Sequence, residues 1–150
     1  MLDIDLSVHH SDLRLDTKEG NRVIYDPIRK KYLIITPEEI VRQCWLLYLK
    51  KEGISYASLS VEKMIKVGEM NKRFDLVLYV RGIPKVLFEF KSYDIEIQES
   101  TCRQAASYNL NLKVPYIVLS NGLEHHAFWV DFENGEVSSV DEMHWTALFH

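Results

Sequence analysis

The sequence predicts an α/β protein with a central mixed β-sheet flanked by helices. Three observations carry this. Two segments, 36–53 and 96–112, read as helices, the first with apolar residues at helical spacing. The stretches between and after them are rich in β-branched and aromatic residues and are broken by turn signals. One of these, "VPYIVLS", is short and continuously apolar, the pattern of a buried strand. The resulting order is helix, three strands, helix, two strands, which suits a sandwich around a mixed sheet.

The chain has 150 residues, enough for one domain (1–150) with one sizeable core. It is 47% hydrophobic and 27% charged, close to an ordinary globular protein. A net charge of −4 argues against a non-specific basic coat for nucleic acid, though not against a local basic patch. No apolar run approaches the roughly 18–20 residues of a membrane span. The N-terminus, "MLDIDLSVHHSDLRL", lacks the features of a signal peptide, so no membrane and a cytoplasmic location are expected. Cys44 and Cys102 belong to no CxxC unit and read as small buried apolar residues.

Residues 1–18 show no clean period and read as a partly ordered lead-in. "NRVIYDPIRKKYLIIT" gives two short strands around a turn at Pro27. "TPEEIVRQCWLLYLKKEG" is the clearest helix. Thr36 is its N-cap, Pro37 its first residue, and Glu39 is placed for a capping box. Ile40, Val41, Cys44, Trp45 and Tyr48 form its apolar stripe, in which Tyr48 needs a partner for its hydroxyl. Lys50 and Lys51 suit its C-terminal dipole, and Gly53 ends it. "SLSVEKMIKV" reads as a strand, followed by the hairpin 73–93, the second helix and "VPYIVLS". "NG" at 121–122 is a turn, "HHAFWVDF" a strand and "ENGE" a turn. The final "VDEMHWTALFH" is a short strand or helix. Trp45, Phe88, Phe90, Tyr116, Phe128 and Trp129 read as core, and His125 and His126 as strand-edge packing that cannot share one ion.

The hairpin "RFDLVLYVRGIPKVLFEFKSY" carries charge inside a hydrophobic setting. Strand side chains alternate faces. Glu89 and Lys91 therefore share a face with Leu87, opposite Val86, Phe88 and Phe90. Asp75 falls with Val77 and Tyr79, opposite Phe74, Leu76, Leu78 and Val80. Residues directly opposed on paired strands point the same way. A four-residue "RGIP" loop would set Asp75 against Phe90 and break the cluster. A three- or five-residue turn, or a bulge, near Arg81 to Pro84 is needed to set Asp75 against Glu89 or Lys91.

Two carboxylates at short range repel, and a divalent cation relieves the repulsion. Hard oxygen ligands suit Mg²⁺, with Mn²⁺ as a substitute. Such an ion activates water for hydrolysis, and a neighbouring lysine holds that water or offsets phosphate charge. An isolated "ExK" is a surface ion pair, so an unrelated α/β protein is one alternative. The apolar flanks argue against it, because buried charges need partners.

The pattern D-x(13)-E-x-K, followed by "RQAASY" with Gln104 and Tyr108 four apart, resembles the PD-(D/E)xK nuclease superfamily with its QxxxY motif. "RKKYLIITPEEIVRQ", "RFDLVLY", "FEFKSY", "RQAASYN" and "IVLSNG" together resemble the N-terminal nuclease domain of type I restriction enzyme R subunits, over roughly residues 20–130. Phe74 stands where the signature has proline. The resemblance implies a restriction-endonuclease-like core and a magnesium-dependent DNA endonuclease. Asp75, Glu89 and the Phe90 backbone carbonyl would bind the metal, and Lys91 would assist the nucleophilic water. Gln104 and Tyr108 would orient Lys91 or contact the DNA backbone. The early-helix acid would be Glu38 or Glu39. Arg42, Lys72 and Arg73 are surface cations able to approach phosphates. Implied partners are DNA, the specificity, methylation or motor subunits of a restriction system, and a second copy of the chain, since cutting both strands needs two sites. No GxxxxGK[ST] pattern occurs, so no helicase motor is expected in this chain. The alternative reading is a catalytically inactive nuclease-fold module for nucleic-acid binding or assembly.

Overall fold

Thr36 begins the first helix as its sequence position dictates. In the computed structural model, which describes residues 1–67 and 70–150 (side chains of Val67, Met70 and Tyr108 excepted), its hydroxyl accepts the Glu39 N–H at 3.1 Å. Helix α1 then runs Pro37–Lys51. It ends at Glu52, where Gly53 takes a φ of 96° that L side chains resist. Val41, Cys44, Trp45 and Leu49 form its buried stripe. Tyr48 finds its partner in the Trp145 indole, whose N–H donates to the phenol oxygen at 2.9 Å.

The strands form two sheets. Strands β1 (Leu15–Lys18), β2 (Asn21–Asp26) and β3 (Lys31–Ile34) make a small antiparallel sheet. The larger sheet has six strands in chain order: β4 (Leu59–Val67), β5 (Met70–Val80), β6 (Ile83–Phe90), β7 (Tyr116–Ser120), β8 (His125–Asp131) and β9 (Glu136–Val140). Helix α2 (Glu99–Tyr108) links β6 to β7, the one parallel pair; the other neighbours are antiparallel. This is the mixed α/β arrangement of a restriction-endonuclease-like core.

The six-stranded sheet is covered on both faces. Trp45 and Leu49 of α1 pack with Leu76, Leu78, Phe88, Phe90 and Val118. Cys102 and Ala106 of α2 pack with Phe74, Val77, Leu87, Ile117 and Phe128. Burial on both sides explains why β6 and β7 read as continuous apolar runs. Both cysteines are free and buried, as read from their spacing.

Several expectations change. Residues 1–18 are ordered: Leu6–Asp12 is a 3-10 helix and Leu15–Lys18 is β1. Short 3-10 turns lack the period used to recognise helices. The sheet gains β9, whose "EVSSV" is an edge strand with too few apolar residues to show alternation. The end of the chain is a 3-10 helix, Trp145–Phe149. Trp129 is 41% exposed rather than core. His125 lies in an interior strand, not at an edge.

His125 also holds the N-terminus. The Ser120 hydroxyl oxygen accepts from the Trp45 indole N–H at 2.9 Å and from the Gly122 N–H at 3.0 Å. Its own proton therefore goes to His125 Nδ1, 2.7 Å away. The imidazole is neutral, and its Nε2–H donates to the Ile4 carbonyl at 3.0 Å. The Leu2 N–H donates to the His125 carbonyl at 2.8 Å. Burial is the main cause holding the His125 pKa below its usual 6.5. A base whose folded pKa is depressed contributes stability when neutral, and that stability is lost as pH falls through its unfolded value. The expected outcome is a urea midpoint that drops between about pH 7.5 and about pH 5. The drop should be smaller in His125→Gln, and equal drops in both proteins would remove His125 from the account.

Candidate active site

The position of Asp75 is decided at the β5–β6 hairpin. Arg81 and Gly82 form its two-residue turn, with φ of 52° and 78°, the positive values that such turns require. Next to the turn, Val80 faces Ile83 and Tyr79 faces Pro84. Continued without interruption, that register would set Asp75 against Phe88. It does not continue. Leu78 faces Val86, Val77 faces Leu87 and Leu76 faces Phe88, which leaves Lys85 as an extra residue in a bulge. The paired residues end at Leu76 and Phe88; carried one residue further, the shifted register points Asp75 toward Glu89 instead of Phe88. The bulge that the sequence requires is present, one residue beyond the predicted stretch.

A second irregularity turns Asp75 itself. Val61 faces Leu76 and Lys63 faces Phe74, but Glu62, with a φ of 49°, makes no pair with Asp75 between them. Phe74 packs on the α2 side, whereas Leu76 and Leu78 pack on the α1 side. The expectation that these three share a face is therefore corrected. Alternation is a property of regular pleat, and the pleat is broken at this point.

Asp75 lines a cavity of about 270 Å³ on the α1 side, together with Thr36, Glu38, Glu39, Arg42, Glu62 and Phe90. Its Oδ2 accepts the Phe90 N–H at 2.6 Å. Burial raises the Asp75 pKa above the usual value, and nearby Glu89 adds to this. The Phe90 N–H, Arg42 and Lys91 oppose the rise. Asp75, Glu89 and Lys91 thus lie within electrostatic reach of one another, but not on one face. Phe88 and Phe90 pack toward α1, so Glu89 between them points to the α2 side, where its charge reaches Cys102. Lys72 Nζ stands 2.8 Å from Glu89 Oε1 and 5.1 Å from the centre of the Phe74 ring.

The early-helix acids divide. Both line the cavity, but Glu39 is buried and engaged. Its Oε2 accepts from Arg42 Nε at 2.9 Å and Gln43 Nε2 at 3.2 Å, and its Oε1 accepts from Arg42 Nη2. The expected capping box is therefore only half formed. Thr36 caps the helix, and the Glu39 carboxylate serves Arg42 instead of returning to the N-cap. Arg42 is not a surface cation either. It is buried and also faces Glu62, which pairs with Arg29 at 2.6 Å. Glu38 is exposed at the cavity rim.

Lys91 is exposed, and its backbone N–H donates to the Ser120 carbonyl at 2.8 Å. Gln104 is exposed on α2, and the Tyr108 side chain lies outside the described residues. Among the described residues, no three His, Cys, Asp or Glu side chains are placed to hold one ion. No helix among them is long and apolar enough to cross a membrane. Sequence reasoning missed Glu62, which sits in an unremarkable strand pattern. The Glu39–Arg42 pair had a signal, the i, i+3 spacing of opposite charges on a helix.

Residues 37–143 match the family described as Type I restriction enzyme R protein N terminus (HSDR_N). The chain belongs to this family. No curated protein and no solved structure matches it. The match to the R protein N terminus begins at the first residue of α1 and takes in Asp75, Glu89, Lys91 and α2. The three-stranded sheet precedes it.

Two outcomes test the electrostatics of this R protein N terminus. Arg42→Met strands the Glu39 carboxylate in the interior and should destabilise the fold by about 3–5 kcal/mol in urea denaturation. Adding Glu39→Gln should recover part of that loss. A carboxylate whose folded pKa is raised contributes stability only while protonated, and loses it as pH rises. Asp75→Asn keeps an acceptor for the Phe90 N–H and removes the buried charge. It should raise the melting temperature of metal-free protein at neutral pH; a lowered one would contradict the pKa direction.

Proposed function

We propose that the chain is a magnesium-dependent DNA endonuclease domain of a restriction system, in which a metal-bound water hydrolyses phosphodiester bonds. The observation that supports this reading is the bulged register, which brings Asp75 within electrostatic reach of Glu89 and Lys91 in a chain of the R protein N-terminal family. The donors suit a hard cation. Asp75 is a partly buried carboxylate whose charge is disfavoured by burial, and among the described residues one of its oxygens is bonded, to the Phe90 N–H. An ion held there would relieve that penalty. Asp75, Glu89 and the Phe90 carbonyl would hold it, with Mn²⁺ able to replace Mg²⁺. When bound, it supplies an acidified water and stabilises charge on the phosphate.

The remaining roles belong to the chain. Lys91, exposed at the end of β6, would orient the attacking water and offset phosphate charge. Glu38, at the cavity rim, is the early-helix acid with no partner among the described residues, whereas Glu39 fixes Arg42. Gln104 and Tyr108 would steady Lys91 or the DNA backbone. DNA, other subunits of a restriction system and a second copy of the chain are the partners this reading implies.

A second reading is a nuclease fold that binds DNA without cutting it. One observation favours it: Lys72 already neutralises Glu89 at 2.8 Å. The two readings part in one experiment. Plasmid nicking with Mg²⁺ is expected from wild type, to be abolished by EDTA, and to fall at least about a hundredfold in Lys91→Ala and Glu89→Ala. Calorimetric Mg²⁺ binding by wild type but not by Glu89→Gln supports the metal site independently of turnover. Equal nicking by all variants would point to a contaminant and reject the site.

A further inference from the structure

The cations that the sequence offers for phosphate contact are largely engaged within the protein, Arg42 with Glu39 and Lys72 with Glu89. Another set lies on the three-stranded sheet. Residues 14–31 carry six cations (Arg14, Lys18, Arg22, Arg29, Lys30, Lys31) against three carboxylates (Asp16, Glu19, Asp26), in a chain of net charge −4. Asp26 is buried, and Arg29 is drawn to Glu62. The other five cations are exposed.

Their arrangement is ordered. The Tyr25 N–H donates to the Arg14 carbonyl at 2.9 Å, and Tyr25 faces Tyr32 across β2–β3. The Arg14 guanidinium lies 4.1 Å from the Tyr25 ring centre, and Lys18 Nζ lies 4.3 Å from that of Tyr32. The two rings meet edge to face at 5.2 Å. A third pair, Lys50 over Tyr56 at 4.9 Å, shares a groove of about 220 Å³ with Arg14 and Tyr25. In the other direction, Ile34 follows Tyr32 by two residues on the same face. It is 65% exposed and lines the Asp75 cavity. Cations seated on rings therefore run from the α1 groove to Tyr32, and apolar Ile34 continues that face to the mouth of the cavity.

We propose that this face of β1–β3, extended by Lys50, is a platform that holds the DNA backbone and leads it to the Asp75 cavity. The proposal rests on the nuclease reading and adds to it a surface that lies, Lys50 apart, outside the family match. An exposed cation–π pair contributes only about 0.5–1 kcal/mol, too little to offset the crowding of like charge. A polyanion does offset it, and the ring edges add stacking surface for sugars and bases. Charge complementarity selects the occupant: on this face Arg14, Lys18 and Lys50 stand against Asp16, while alternation turns Arg22 and Lys31 to the other face, and that excess of cations on an acidic protein fits a phosphodiester chain.

The test is fluorescence anisotropy of the full chain with a labelled duplex of about 20 base pairs in EDTA, across a salt series. Arg14→Gln/Lys18→Gln is compared with Lys51→Gln/Lys113→Gln, which removes equal charge elsewhere. The platform variant should bind about tenfold or more weaker, with the slope of log K on log salt reduced by about 1.8, and the control should match wild type. Arg14→Lys/Lys18→Arg keeps the charges and should restore binding, which separates charge loss from misfolding. Equal affinity and slope in both Gln variants, or no duplex binding by wild type at low salt, overturns the proposal. EDTA removes turnover from this assay, so the two readings fail separately. Intact binding by the platform variant, with nicking lost in Lys91→Ala, sinks the platform alone. The predicted binding loss in a wild type that never nicks sinks the nuclease reading alone.

Discussion

One residue too many in β6 is the constraint on which the site depends. The Arg81–Gly82 turn favours tight pairing, and tight pairing alone would put Phe88 across from Asp75. An apolar ring would then stand where an acid is needed, and Glu89 would be displaced along the strand. Lys85 absorbs the mismatch, and the pairs beyond it, Leu78–Val86 to Leu76–Phe88, take a register that points Asp75 toward Glu89. The apolar core enforces this choice, because a one-residue slip would turn Leu87 and Phe88 to the wrong faces. Hydrophobic packing on two faces of β6 thus fixes an electrostatic arrangement that packing alone would not require.

That arrangement is crowded with acid: Glu38, Glu39, Glu62 and Asp75 line one small cavity. The fold stabilises it with internal cations. Arg42 is held by Glu39 and shares Glu62 with Arg29, while Lys72 serves Glu89 across the sheet. Asp75 is left with Phe90 N–H and more distant cations, and it is the acid of the cavity whose pKa is pushed up. The protein therefore compensates Glu39 and Glu62 with internal cations, and leaves Asp75 and the exposed Glu38 without a paired cation among the described residues.

The sequence made the elements with strong periods legible. Helix α1, its Thr36 cap, the succession of strands from β2 to β8 along the chain and the need for a bulge all follow from spacing and parity. What it hid has physical causes. The 3-10 turns and β9 carry no recognisable apolar period. The reversal of facing at Asp75 comes from Glu62 in a positive-φ conformation that its residue type does not announce. Arg42 reads as surface because arginine almost always is, and only the Glu39 partner three residues earlier makes its burial tolerable. Identities of the candidate acids were readable from a motif, but the faces they take were not. A motif records spacing along the chain, while facing depends on the pleat between.

The split facing bears on how a site of this kind can assemble. Asp75 opens toward α1, Glu89 toward α2, and Phe90 passes between them with its N–H on Asp75. Glu89 stands near the end of β6, where the β6–β7 ladder finishes at the Lys91–Ser120 bond, and its charge reaches Asp75 from the other face. Strand ends yield more readily than strand centres, because fewer ladder bonds hold them. For Glu89 to join Asp75 on one ion, Lys72 must release it, and a divalent cation is the natural competitor for that carboxylate. Lys72 thus holds the Glu89 carboxylate in place, at the position a stronger cation would take under the proposed reading. Under the proposed reading the Lys72–Glu89 pair and the raised pKa of Asp75 belong together: a divalent cation would replace the first and relieve the second.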